Sequence, residues 1–159
     1  MRPIEPALVD EVWRDIIQYP PEQIQAEAQE FLARQPDAAA FAAVLTREFD
    51  EPVQRAAFGL AFLLFKILER SLGRPFPPLA EARIQRAYEA NVQWLAATEA
   101  GAESLLETLQ AGAHQSLVAH ILSVFYGGDA ASYDNDTHAN LFLVLKTLTE
   151  ALDIGAVER

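Results

Sequence analysis

The chain has 159 residues, 23 acidic and 12 basic, for a formal net charge of −11. That length fits one domain over residues 1–159, or two small halves sharing a core, and an apolar fraction of 51% supplies that core and excludes a disordered chain. An acidic surface repels phosphate backbones and anionic head groups, so nucleic-acid and membrane-surface partners are not expected, and the lack of cysteine excludes a disulfide frame, a thiolate nucleophile and cysteine-ligated zinc.

Alanine and leucine dominate and there are only seven glycines, which favours helix. The stretch "MRPIEPALVDEVW" has no apolar signal-peptide core, so cytoplasm is the expected location. The first helix should run from about Pro6 to Tyr19. Leu8, Val12, Ile16 and Tyr19 line one face, with Trp13 and Ile17 beside them. Pro20-Pro21 ends it, because a residue before proline is pushed out of the helical region. The second helix, to about Gln35, has Ile24, Ala28, Phe31 and Leu32 as its apolar stripe. Pro36-Asp37 breaks it, and Asp37 is the expected cap of a third helix that carries Phe41, Val44, Leu45 and Phe49 inward.

The fourth helix, Glu51 to Gly73, organises the chain. From Ala56 to Phe65 no side chain is charged or an amide. Leu60, Leu64 and Leu68 make one stripe, and Phe58, Phe62 and Phe65 another. A helix apolar nearly all round is buried in a fold. Asp50 is its expected N-cap, Pro52 suits the first turn, and Gly73 can take the left-handed position after the last turn. The apolar run is shorter than the roughly 20 residues a bilayer span needs, and Lys66 and Glu69 interrupt it.

Pro75, Pro77 and Pro78 stiffen a connector over residues 73–78, with Phe76 and Leu79 expected against the core. A fifth helix from about Leu79 toward Ala100 carries Ile84, Tyr88, Val92 and Leu95. A sixth spans about Ala102 to Gln110, and a seventh about Ala113 to Tyr126. After the loop "GGDAASYDND", Asp136 is the expected cap of an eighth helix ending before Gly155.

The two halves resemble each other. "FLLFKILERSL" from Phe62 aligns without gaps on "FLVLKTLTEAL" from Phe142, with Lys66 opposite Lys146. "AFAAVLTREF" from Ala40 falls on "SLVAHILSVF" from Ser116. Phe31-Leu32 falls on Leu105-Leu106, and Leu8, Val12 and Ile16 fall on Ile84, Tyr88 and Val92. Any two leucine-rich helices align, which accounts for one match better than for four in order. The expectation is an all-α protein of about eight helices. It reads as a duplicated four-helix unit, residues 6–72 and 79–153, packed around two central apolar helices.

Chemistry is faint. His114 and His120 lie six residues apart, on different faces of a helix. There is no H-E-x-x-H and no E-x-x-H. Asp129, Asp134 and Asp136 fail the calcium-loop pattern, because counting from Asp134 the sixth position is Ala139 and the twelfth Leu145. Gly127-Gly128 follows a helix rather than a strand, so no nucleotide loop is expected. The remaining candidate constellation is His120, Asp134, Asp136 and His138. The aromatic stripe Phe58, Phe62 and Phe65 reads either as core or as a mating surface. No cofactor or metal is expected. The leading functional expectation is a non-enzymatic module acting through a protein partner or a homodimer. A sensor with an apolar pocket between the repeats, and an enzyme or metal protein using the His120 region, are the alternatives.

Overall fold

The computed structural model describes residues 4–97, 120, 121, 124 and 135–152. The described residues form six helices: α1 (Pro6–Ile17), α2 (Pro21–Arg34), α3 (Pro36–Leu45), α4 (Glu51–Leu72), α5 (Glu81–Ala97) and α6 (Asn135–Leu152). No strand occurs among them. α6 is the eighth helix of the sequence reading. The predicted sixth helix and the loop before α6 lie outside the described residues. Of the predicted seventh helix, His120, Ile121 and Val124 are described, and they are helical.

Helix starts follow proline. Pro6, Pro21, Pro36 and Pro52 each occupy the first or second position of a helix. There the missing N–H would have no partner anyway. This corrects the expected cap of α3: Gln35 is the N-cap and Asp37 lies inside the first turn. Asp136 likewise lies inside α6, which begins at Asn135. α1 stops short of Tyr19, whose N–H bonds the Ile16 carbonyl at 3.1 Å in a tightened last turn. α4 ends as its sequence dictates. Gly73 sits at φ 76°, in the left-handed region, and its N–H bonds the Glu69 carbonyl at 2.8 Å.

α4 is the axis of the core. α1, α3 and α6 pack on it, and α5 covers α6. Leu60, Leu63, Leu64, Ile67 and Leu68 of α4 and Leu141, Leu145 and Leu148 of α6 are all buried. α3 approaches α4 on small residues: Ala38, Ala39 and Ala42 are its buried face. Close backbone approach on alanine turns the larger Phe41 and Val44 away from α4. Phe41 is therefore only half-buried and Val44 is exposed. This overturns the expectation that α3 buries Val44. Leu32, expected in the buried stripe of α2, is exposed as well, because Phe31 takes the inward position against α4.

The proline connector is fastened by a residue the sequence did not single out. Gln35 is buried, and its side-chain nitrogen donates to the Phe76 and Pro77 carbonyls at 3.2 and 2.9 Å. Its side-chain oxygen accepts from the Leu79 N–H at 2.8 Å. Its backbone N–H closes α2 on Phe31 and its carbonyl opens α3 on Ala39. Phe76 and Leu79 are buried beneath it, as expected from the connector. Gln35→Ala strands the buried Phe76 carbonyl and Leu79 N–H, so unfolding free energy should drop by about 3 kcal/mol. Urea denaturation would show this, and a midpoint unchanged within error would mean the connector is held elsewhere.

Candidate functional site

The aromatic stripe of α4 is engaged within the chain. Phe62 and Phe65 are buried and Phe58 is half-buried. Phe31 of α2 meets all three, with ring centroids 5.5, 5.9 and 5.5 Å from Phe58, Phe62 and Phe65. Edge-to-face geometry dominates, the arrangement ring quadrupoles prefer. A charged lid covers the cluster. Lys66 Nζ lies 5.7 Å from the Phe62 centroid and pairs with Glu27 of α2.

The two carboxylates of this lid titrate in opposite directions. Burial pushes Glu27 up, but hydrogen bonds from Lys66 and Gln23, with the Lys66 charge, outweigh it and hold its carboxyl below the ordinary value. At Glu69 burial wins and lifts the carboxyl above the ordinary value, against the attraction of Lys66 and Arg34. Glu27 therefore contributes stability that is present above the ordinary carboxylate pKa and lost as pH falls through its lowered one. Glu69 does the reverse. Its ionised form is disfavoured in the fold, and that penalty is relieved as pH falls through its raised pKa. Glu69→Gln should raise the melting temperature at pH 7. The gain should vanish below about pH 4, where the carboxyl is protonated in both states. Thermal melts between these limits check the sign; a variant less stable than the parent at pH 7 would contradict it.

The histidine region divides. His120 Nε2 lies 2.9 Å from Asp10 Oδ1 of α1, in a partly exposed pair. Asp136 and His138 fall in the first turn of α6, and their side chains lie outside the described residues, as does all of Asp134. Among the described residues no group of three His, Asp or Glu side chains could hold a metal ion. No helix among them is long and apolar enough to cross a membrane.

Two further features are polar or open in ways a simple core does not require. The first is a buried network between α5 and α6. Lys146 Nζ donates to Asn91 Oδ1 at 2.5 Å and to Glu150 Oε1. Asn91 Nδ2 donates to Thr147 Oγ1 at 3.2 Å. Lys146 is 5% exposed, so its charge is held by these partners rather than by water. Lys146, Asn91 and Thr147 are buried and only Glu150 reaches the surface, which suits a structural part.

The second feature is a groove of about 370 Å³ between α3 and α5. Ala40, Phe41, Val44 and Ile84 line it, with Asp37, Glu81 and Gln85 at its edge. Phe41 meets Tyr88 at 5.6 Å. Val44 is 58% exposed, and Val92, one turn beyond Tyr88 on the same stripe of α5, is 42% exposed. The sequence signal for this groove was present but read inward. Phe41 with Val44, and Ile84 with Tyr88 and Val92, recur at helical spacing like any core stripe.

Comparison with known proteins finds no family model, no curated protein and no solved structure that matches this chain.

Proposed function

We propose that the protein is a non-enzymatic interaction module whose contact surface is the groove between α3 and α5. The exposure of Val44 beside Phe41, Ala40 and Ile84 in the groove carries this reading. Isolated exposed apolar residues are ordinary, but contiguous ones on a concave surface mark contact sites. The aromatic stripe of α4 is covered by Phe31, so the groove is the better place for a partner. Among the described residues, the buried Lys146 ammonium and the surface His120–Asp10 pair lie in different places and do not converge on one cleft, as an enzyme site would need.

Site-specific photocrosslinking tests this. A crosslinkable residue at position 44 should give one discrete polypeptide adduct in cells that make the protein, and one at the exposed Gln25 of α2 should not. An adduct of twice the 17.6 kDa chain mass would identify a homodimer. Absence of any adduct at position 44 would refute the module reading.

We also infer that the chain duplicates a four-helix unit. α1 lies on α4 as α5 lies on α6. The alignment that sets Leu8 on Ile84 and Phe62 on Phe142 sets Asp15 on Asn91 and Lys66 on Lys146. In one pair Arg70 meets Asp15 at 2.9 Å. In the other, Lys146 meets Asn91. Asp15 and Asn91, which align, thus each make a polar contact with the long helix of their pair, to positions one turn apart, since Arg70 aligns with Glu150 and not with Lys146. Backbone chemical shifts should report separate helices at 102–110 and 113–126, and one helix running through both would overturn the inference.

A further inference from the structure

We propose that the groove between α3 and α5 receives a basic amphipathic helix from a partner protein, a proposal that rests on the interaction-module reading and specifies its ligand. The two helices lie side by side and start at the same end. Asp37 and Glu81, each in a first turn, share that end of the groove. Phe41, in contact with Tyr88, lies further along, and the exposed Val44 lies beyond it. From Asp37 to Val44, both in the lining, α3 rises about 10 Å at 1.5 Å per residue. That is about two turns, the length over which a docked helix sets anchors at i, i+4 and i+7.

Charge chooses the partner. The groove lining carries two carboxylates and no lysine or arginine. Each helix N-terminus there offers about half a positive charge, against a full negative charge on Asp37 and on Glu81, so that end stays negative by about one unit. Glu89 adds a third carboxylate next to Gln85, whose side-chain nitrogen donates to it at 3.2 Å. The basic residues of α5 point elsewhere. Arg83 and Arg86 line a separate groove with Ala87, Ala90, Glu150 and Ala151. α5 thus sorts its charge, acidic toward α3 and basic toward the end of α6. A second copy of this chain would bring the same acids and another net charge of −11, opposing like to like. A helix with an aliphatic stripe flanked by Lys or Arg meets both the apolar floor and the acidic edge, and the field of the whole chain draws it in.

The test uses the full chain and two labelled synthetic peptides of 14 residues. Both carry the same leucine stripe on a helical repeat, one flanked by lysine and the other by glutamate. Fluorescence anisotropy should show the lysine peptide binding at least about tenfold tighter. Asp37→Asn with Glu81→Gln should weaken it by about tenfold, from the loss of two partly exposed ion pairs. Glu22→Gln with Glu48→Gln makes the same change in net charge at exposed positions away from the groove lining, and should weaken it by less than about twofold, the screened remainder. Val44→Lys should abolish binding while circular dichroism stays unchanged, because Val44 is exposed. Equal affinity for the two peptides, equal losses in the two double variants, or indifference to Val44→Lys would each overturn the basic-helix assignment. If the adduct at position 44 still forms in that case, the module reading survives with a different partner. If that adduct is missing too, both fail.

Discussion

Leu64→Ala and Leu145→Ala should each lower the free energy of unfolding by about 2–5 kcal/mol, the range for a core leucine truncated to alanine. Both side chains are 0% exposed. Leu64 lies on α4 between Leu60 and Leu68, and Leu145 lies on α6 between Leu141 and Leu148. α4 and α6 pack on each other, and each truncation opens a void at a fully buried position of that core. Little relaxation is available there, because the neighbouring positions on both helices are filled by buried leucine and phenylalanine. Val44→Ala is the internal comparison. It removes exposed methyls from the groove and should stay within about 0.5 kcal/mol of the parent. Denaturant midpoints of the three variants give the ordering directly. Equal shifts for Leu64→Ala and Val44→Ala would mean that α4 is not the axis of the core.

How much of this was legible in the sequence depends on what each helix packs with. α4 was legible throughout, because its apolar run, its proline near the start and Gly73 at its end all point the same way. The groove was not, because periodicity reports that a stripe is apolar and not which way it faces. α3 has two apolar faces, one of alanines and one of Phe41 and Val44. Large residues weigh more in a sequence reading, whereas the structure buries Ala38, Ala39 and Ala42. Gln35 was silent for another reason. Its part is made by a connector some forty residues away, and nothing near Gln35 announces that. The pairing of Lys66 with Lys146 was visible as an alignment. That one lysine lies half-exposed over an aromatic cluster and the other inside a polar network was not, since this depends on which helices cover them.

That second lysine belongs to an asymmetric pair: removing Glu150 should cost more than removing Lys146. The Lys146 ammonium is buried, and the Glu150 side chain is 26% exposed. Glu150→Ala therefore takes a carboxylate away from a buried cation, and weakening a buried pair from that side costs up to about 3–5 kcal/mol. Lys146→Met keeps an unbranched apolar stem in the same space and removes the desolvation penalty altogether. What it leaves behind is a carboxylate that already reaches water and an Asn91 oxygen short of one donor, a loss of about 1 kcal/mol. Adding Lys146→Met to Glu150→Ala should then recover part of the stability that Glu150→Ala lost, because the buried charge is gone. Urea denaturation of the two single variants and the double variant closes the cycle. A double variant whose loss equals the sum of the single losses would show that Lys146 and Glu150 act independently, and that the network between α5 and α6 does not depend on their pairing.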